Sequence, residues 1–143
     1  MNKGISISVE WWDEDLIIFV FSASNGRFCG EAELYLEPKA LERLANDLSG
    51  FPRDGRDQRG IDLGAFSIIH AGGGVQMRFA CLDAACHPAV DVKIRTEDCA
   101  AFGELQPAAL RIPIEAAAID EFVNQLRNFK IAAPKTITLP MTP

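Results

Sequence analysis

Histidine occurs only twice in the 143 residues and cysteine four times. Two imidazoles, His70 and His87, leave few general bases for a histidine-dependent catalyst. Four cysteines fall short of the density of a disulfide-built scaffold. The chain is also short of cations: 14 Lys and Arg stand against 20 Asp and Glu, for a net charge of −6. A protein that tracks a phosphate backbone needs a basic face, so no nucleic-acid partner is expected. Long apolar runs are missing as well. "LIIFVFSA" (16–23) is far too short to span a bilayer as a helix, and Glu10, Asp13, Glu14 and Asp15 interrupt any leader-like reading of the first residues. The expectation is a cytoplasmic protein with no membrane partner. Its alanine-rich, lysine-poor composition has a bacterial look.

What is present suits one folded domain. Hydrophobic residues make up 48% and charged residues 24%, which excludes general disorder. "ISISVEWW" alternates, with Ile5, Ile7, Val9 and Trp11 on one side. "DEDLIIFVFSA" is apolar on both sides, the mark of a strand covered from both faces by other elements or by a second subunit. Asn25-Gly26 signals a hairpin, after which "RFCGEAELYLE" turns Phe28, Ala32, Leu34 and Leu36 inward and Cys29, Glu31, Glu33, Tyr35 and Glu37 outward. A helix at about 38–49 carries Leu41, Leu44, Ala45 and Leu48 as its apolar stripe and ends at Gly50 and Pro52. "RDGRDQRG" (53–60) reads as a solvated polar loop. Strands follow in "GIDLGAFSIIHA", "VQMRFACLD", "AVDVKIRTE" and "AALRIPI". A second helix at about 114–130 buries Ile119, Phe122, Val123, Leu126 and Phe129. "IAAPKTITLPMTP" is either frayed or an extended arm laid on a sheet edge.

One internal echo stands out. "LERLANDLSGF" (41–51) aligns without gaps on "IDEFVNQLRNF" (119–129), and two strand–strand–helix halves are its simplest explanation. The expected fold is α+β: a largely antiparallel sheet of about six to seven strands with both helices packed on one face. The expected domain spans 1–131, with 132–143 a proline-rich tail.

The residues with chemical potential do not assemble into a motif. Cys81, Cys86, His87 and Cys99 cluster in sequence, but structural zinc takes tight Cys-x₂₋₄-Cys knuckles, and the adjacent Cys86 and His87 point apart in extended chain. Cys81 continues the alternation of Val75, Met77 and Phe79 and reads as a half-buried thiol; a Cys81–Cys86 bridge across the turn is the other option. No Cys-x-x-Cys is present. Gly72-Gly73-Gly74 precedes a strand and lacks a helix to present amides to phosphate, so it reads as a hairpin turn. Glu31, Glu33 and Glu37 share a strand face with Asp91 elsewhere, and Arg78, Lys93 and Arg95 are positioned to neutralise them across neighbouring strands. No catalytic residue, metal ligand or cofactor is assigned.

What remains is surface. Trp12, Ile17, Phe19, Phe21 and Tyr35 are expected on the sheet face that the helices leave open, where aromatic groups beside charges suit a protein contact. The succession of strands, Asn-Gly hairpin, "LERLANDLSGFP" helix, further strands and closing "IDEFVNQL" helix resembles a group of small bacterial α+β domains, some grouped with immunity proteins of contact-dependent toxin systems. The resemblance implies a non-enzymatic binding protein and transfers no site residue. The leading expectation is a domain that binds a protein partner or itself. The alternative is a small hydrolase or thiol-dependent enzyme using Cys and His or carboxylates in a sheet-face pocket.

Overall fold

The computed structural model describes residues 2–64, 72–96, 107–132 and 136–143. Three strands, β1 (Gly4–Trp12), β2 (Ile17–Ser24) and β3 (Cys29–Leu36), lead into helix α1 (Ala40–Leu48) and strand β4 (Gln58–Gly64). The pattern then repeats: β5 (Gly74–Cys81), β6 (Pro88–Arg95), β7 (Pro107–Pro113), α2 (Ala116–Arg127) and β8 (Ile137–Pro140). Both helices lie where the 3.6-residue spacing places them.

Among the described residues the strands form two antiparallel four-stranded sheets, ordered β3-β2-β1-β8 and β4-β5-β6-β7. This corrects the expected single sheet of six to seven strands. Each half is a three-stranded meander, a helix and a fourth strand, and the fourth strand joins the other half's sheet. β8 closes the edge of β1, and β4 closes the edge of β5. The registers coincide. Ile5 and Ile7 pair with Leu139 and Ile137 as Val75 and Met77 pair with Leu63 and Ile61. Phe19 and Phe21 pair with Leu34 and Ala32 as Val90 and Val92 pair with Ile112 and Leu110. The helical echo is therefore one part of a strand-exchanged pseudo-repeat.

The exchange joins both sheets and both helices into one core. Phe51, just past α1, meets Phe79 of the second sheet, with ring centroids 5.9 Å apart; Phe129, just past α2, meets Phe19 of the first at 6.1 Å. Residues 137–140 are the arm, not a frayed end. Ile137 and Leu139 are buried, and the Gln125 side chain both donates to the Thr138 carbonyl and accepts from its N–H, each at 3.0 Å. That amide satisfies the outer edge of β8. Ile137 and Leu139 of the expected tail thus belong to the core. Gly4, at φ +125°, lies where the arm crosses, and a Cβ there would run into the Leu139 carbonyl.

Local irregularities move several side chains from their expected places. A bulge between Val9 and Trp11 shifts the β1 register, so Trp11 pairs with Ile18 and leaves the face of Ile5 and Ile7. Residues 25–28 form a turn in which the Asn25 carboxamide accepts from the Arg27 and Phe28 N–H groups. Phe28 consequently falls before the strand and is exposed, not inward. Residues 65–71, including His70 and the end of the expected "GIDLGAFSIIHA" strand, lie outside the described residues.

The 53–60 segment is more ordered than a solvated loop. Gln58 to Gly60 already belong to β4, and Arg59 is a clamp. Its guanidinium donates to both Asp57 carboxylate oxygens at 2.9 Å and to the Asp47 and Ser49 carbonyls at 2.9 and 3.1 Å, and it lies 5.8 Å from the Phe51 ring centroid. A cation here satisfies carbonyls at the C-terminus of α1 and complements its dipole. The hydrogen bond from Arg59 holds the Asp57 carboxyl below the usual carboxylate range. Arg59→Ala should cost about 1–3 kcal/mol, because the carboxylate and the helix carbonyls lose their shared donor. In urea melts, Arg53→Ala should leave the midpoint nearly unchanged. The depressed Asp57 pKa contributes stability that is present above the unfolded value and lost as pH falls through the folded one. The Arg59→Ala deficit should therefore shrink as pH drops below about 4.

Candidate functional site

β2 carries two apolar faces, and the two differ in what covers them. Phe19, Phe21 and Ala23 face the helices and are fully buried. Ile18 and Val20 face the other way, onto an outer surface that neither described helix covers and that leaves them partly exposed. Pairing across the strands builds rows on that outer surface: Trp11, Ile18 and Tyr35 form one, Ser8, Val20 and Glu33 the next, and Ser6, Ser22 and Glu31 a third. Trp11 and Tyr35 keep 48% and 39% of their surface exposed, far more than packed aromatics do. Glu10, Trp11, Ile18 and Glu33 line a shallow depression of about 480 Å³.

This surface carries three carboxylates, Glu10, Glu31 and Glu33, and no cation at an outward position of β1, β2, β3 or β8. Arg78, Lys93 and Arg95, expected on strands neighbouring these glutamates, stand on the second sheet. There Arg95 is buried and donates to the Gly72 carbonyl at 2.7 Å. Asp91 is taken up by Arg111, whose Nε and Nη2 donate to the two carboxylate oxygens at 2.6 and 3.0 Å, and this bond holds the Asp91 carboxyl below its ordinary range. Arg78 donates to the Gln58 carboxamide oxygen at 2.8 Å. Glu37 leaves the acidic row to pair with Arg43 of α1. The two outer faces therefore differ: the second sheet's charges are largely satisfied among themselves, and the first sheet presents aromatics and carboxylates.

The five residues proposed from sequence separate accordingly. Tyr35 lies on the open face. Ile17, Phe19 and Phe21, at 2%, 1% and 0% exposure, are core and offer no surface. The reason is register. Phe19 and Phe21 pair with Leu34 and Ala32, whose own inward direction is fixed by the helices beneath them. Trp12 sits beside Ile17 at the sheet margin on the core side, 47% exposed. The open face instead uses Trp11, Ile18, Val20, Glu10 and Glu33. The signal that could have found them was the second apolar face of β2 read together with the outward glutamates of β3.

The cysteine cluster resolves differently. Cys81 and Cys86 form a disulfide across the β5–β6 turn, with Cα atoms 4.7 Å apart. Cys81 is thus a bonded sulfur and not a free half-buried thiol. The Leu82 N–H donates to the His87 carbonyl at 2.8 Å, and His87 Nδ1 lies 2.6 Å from an Asp83 carboxylate oxygen, which holds that carboxyl below its usual range. This is turn surface, and the shallow pocket beside it is lined by Asp54, Cys81 and Asp83 without His87. Cys99 lies outside the described residues, and among those described no group of three or more metal-ligating side chains forms. With a sequence separation of only five, the bond restrains little unfolded-chain entropy. The double variant Cys81→Ser/Cys86→Ser should lose about 2 kcal/mol, and dithiothreitol should lower the wild-type unfolding free energy, read from urea melts, by a similar amount.

No protein-family model, curated protein or solved structure matches the chain. No helix among the described residues is long and apolar enough to cross a membrane.

Proposed function

We propose that this is a non-catalytic protein-binding domain that docks its partner on the outer face of the first sheet. One observation carries the reading: Trp11, Ile18 and Tyr35 form a contiguous row in which both rings stay exposed, on a face that neither described helix covers. Exposed aromatics grouped on a rigid strand surface serve as interface anchors, since they bring large contact area at little ordering cost. Of the other exposed large apolar side chains, Phe28 and Leu82 stand singly on turns, and Trp12 sits at the sheet margin paired with Ile17. The resemblance to immunity-type domains points the same way. We place the protein in the cytoplasm on its composition, where the Cys81–Cys86 bond would meet a reducing thiol pool. The enzyme alternative is weakened by the location of the thiols and imidazole, since Cys81 and Cys86 engage each other and His87 engages Asp83 on the surface.

Photo-crosslinking in the native cell tests the reading. A benzophenone amino acid at position 35 should give discrete protein adducts, and one at position 109, on the outer face of the second sheet, should not. Adducts from 109 alone, or none from 35, would contradict it.

A further inference from the structure

The Cys81–Cys86 bond lies on the turn between β5 and β6, in a setting unlike that of a disulfide that staples a fold. We propose that it is a thiol-exchange site, opened and closed by a small zwitterionic peptide thiol of the glutathione class that binds in the pocket beside Cys81. The protein responds to that thiol and does not turn it over. This site is independent of the open face of the first sheet.

The turn holds its shape without the bond. The Leu82 N–H donates to the His87 carbonyl at 2.8 Å, the Cys86 N–H to the Asp83 carbonyl at 3.0 Å and the His87 N–H to the Asp83 carboxylate at 3.3 Å. Cys81 also pairs with Pro88 in the β5–β6 ladder. The bond therefore closes a loop that backbone hydrogen bonds already close. Opening it uncovers no core, since both cysteines are only partly buried and the four residues between them are exposed. The reduced form has a partner in place. Cys81 Sγ lies 3.6 Å from the Asp54 carbonyl oxygen, an acceptor that a disulfide sulfur cannot use and a thiol S–H can. Accessible disulfides of this kind are the labile, regulatory ones, in contrast to structural bonds that resist a cellular thiol pool.

The residues around Cys81 select the thiol. A shallow pocket of about 630 Å³ opens there, lined by Asp54, Arg56, Cys81 and Asp83 and not by Cys86. An incoming thiolate therefore reaches the Cys81 sulfur. Arg56 is exposed and enters none of the ion pairs among the described residues, which leaves its guanidinium for a ligand carboxylate. Asp54 and Asp83 accept hydrogen bonds from their own loop and turn, yet each carboxylate retains acceptor sites for an ammonium group. In the first step the thiolate attacks Cys81 Sγ, forms a mixed disulfide and expels Cys86 as a thiolate, which takes up a proton. A second molecule of the thiol attacks the ligand sulfur of that mixed disulfide. The small-molecule disulfide forms, and Cys81 leaves as a thiolate that takes up the second proton. Two electrons and two protons thus pass from two small thiols to the protein, and the reverse steps restore the bond.

Equilibration of the full-length protein in glutathione buffers, quenched by alkylation and read by intact and peptide mass, tests the assignment. In about 10 mM reduced and about 0.1 mM oxidised glutathione, a poise within the cytosolic range, at least about half of the protein should be dithiol. Its amide spectrum should change only around residues 54–56 and 81–87. Trapped early, the mixed disulfide should map to Cys81. Arg56→Ala should slow reduction by glutathione about threefold or more and leave reduction by uncharged mercaptoethanol unchanged. A bond that stays closed in this buffer, or a dithiol form that loses its far-ultraviolet circular dichroism, would make Cys81–Cys86 a structural staple and overturn the site. A mixed disulfide at Cys86, or an Arg56→Ala variant that glutathione reduces at the wild-type rate, would remove the pocket as the binding place and overturn the assignment as well.

Discussion

Phe21→Ala is expected to lower the unfolding free energy by about 3–5 kcal/mol, the cost of a large cavity in a packed core. Phe21 is fully buried, paired with Ile7 on one side and Ala32 on the other, and belongs to the cluster that both helices cover. Trp11→Ala on the other side of the sheet should cost less than about 1 kcal/mol, since that side chain is half exposed and supports nothing above it. The contrast is the useful result. Both residues are large and aromatic, and both lie on strands of the first sheet. Chemical denaturation of the two variants, read at constant m-value, separates the core face from the open one. Equal losses would mean that the open face is packed against something in the folded protein.

Removing residues 136–143 is expected to leave the chain largely unfolded or aggregated. The deletion takes Ile137 and Leu139 from the core, about 1.5–3 kcal/mol each, and strips β1 of its edge partner. A domain of this size holds only about 5–15 kcal/mol in all. The strand exchange makes a sharper expectation. Because β8 enters the first sheet from the second half, a peptide spanning 133–143 added in trans should restore the far-ultraviolet circular dichroism of the truncated chain in a saturable manner. A truncated protein that melts like the full chain would contradict the pairing of β8 with β1.

Much of the fold was legible because its signals are local. The stripes Leu41, Leu44, Ala45, Leu48 and Ile119, Phe122, Val123, Leu126 fix helices that differ from expectation only at their ends. The alternation of Val75, Met77 and Phe79 fixes which side of β5 is core. The aligned helices were visible as an echo, but the exchange of β4 and β8 was not. Pairing partners far apart in sequence leave no mark on periodicity, and β8 offers only four residues between prolines and threonines.

The candidate site was half legible, for two physical reasons. β2 is apolar on both faces, so the strand alone cannot say whether Phe19 and Phe21 or Ile18 and Val20 face inward; Ala32 and Leu34 of the next strand decide it. The Trp11-Trp12 pair can offer either ring to either face, and the bulge at Val9/Trp11 chooses. Arg59 was hidden for a related reason. Its carbonyl partners at Asp47 and Ser49 lie in the helix end behind it, so a residue that reads as loop charge works as a helix cap. The acidic row of β3 is legible in its alternation, but the strands that neighbour it are not, and the two-sheet topology puts Arg78, Lys93 and Arg95 on the other sheet.

Hydroxyl-radical footprinting of the tagged protein, alone and in the complex recovered from its native cell, tests the central claim most directly. Trp11 and Tyr35 should oxidise readily in the isolated protein and become protected in the complex, while Phe28 and Leu82 oxidise equally in both. Protection of Phe28, Leu82 or the second sheet's outer face, with Trp11 and Tyr35 unchanged, would move the binding surface elsewhere and contradict the account.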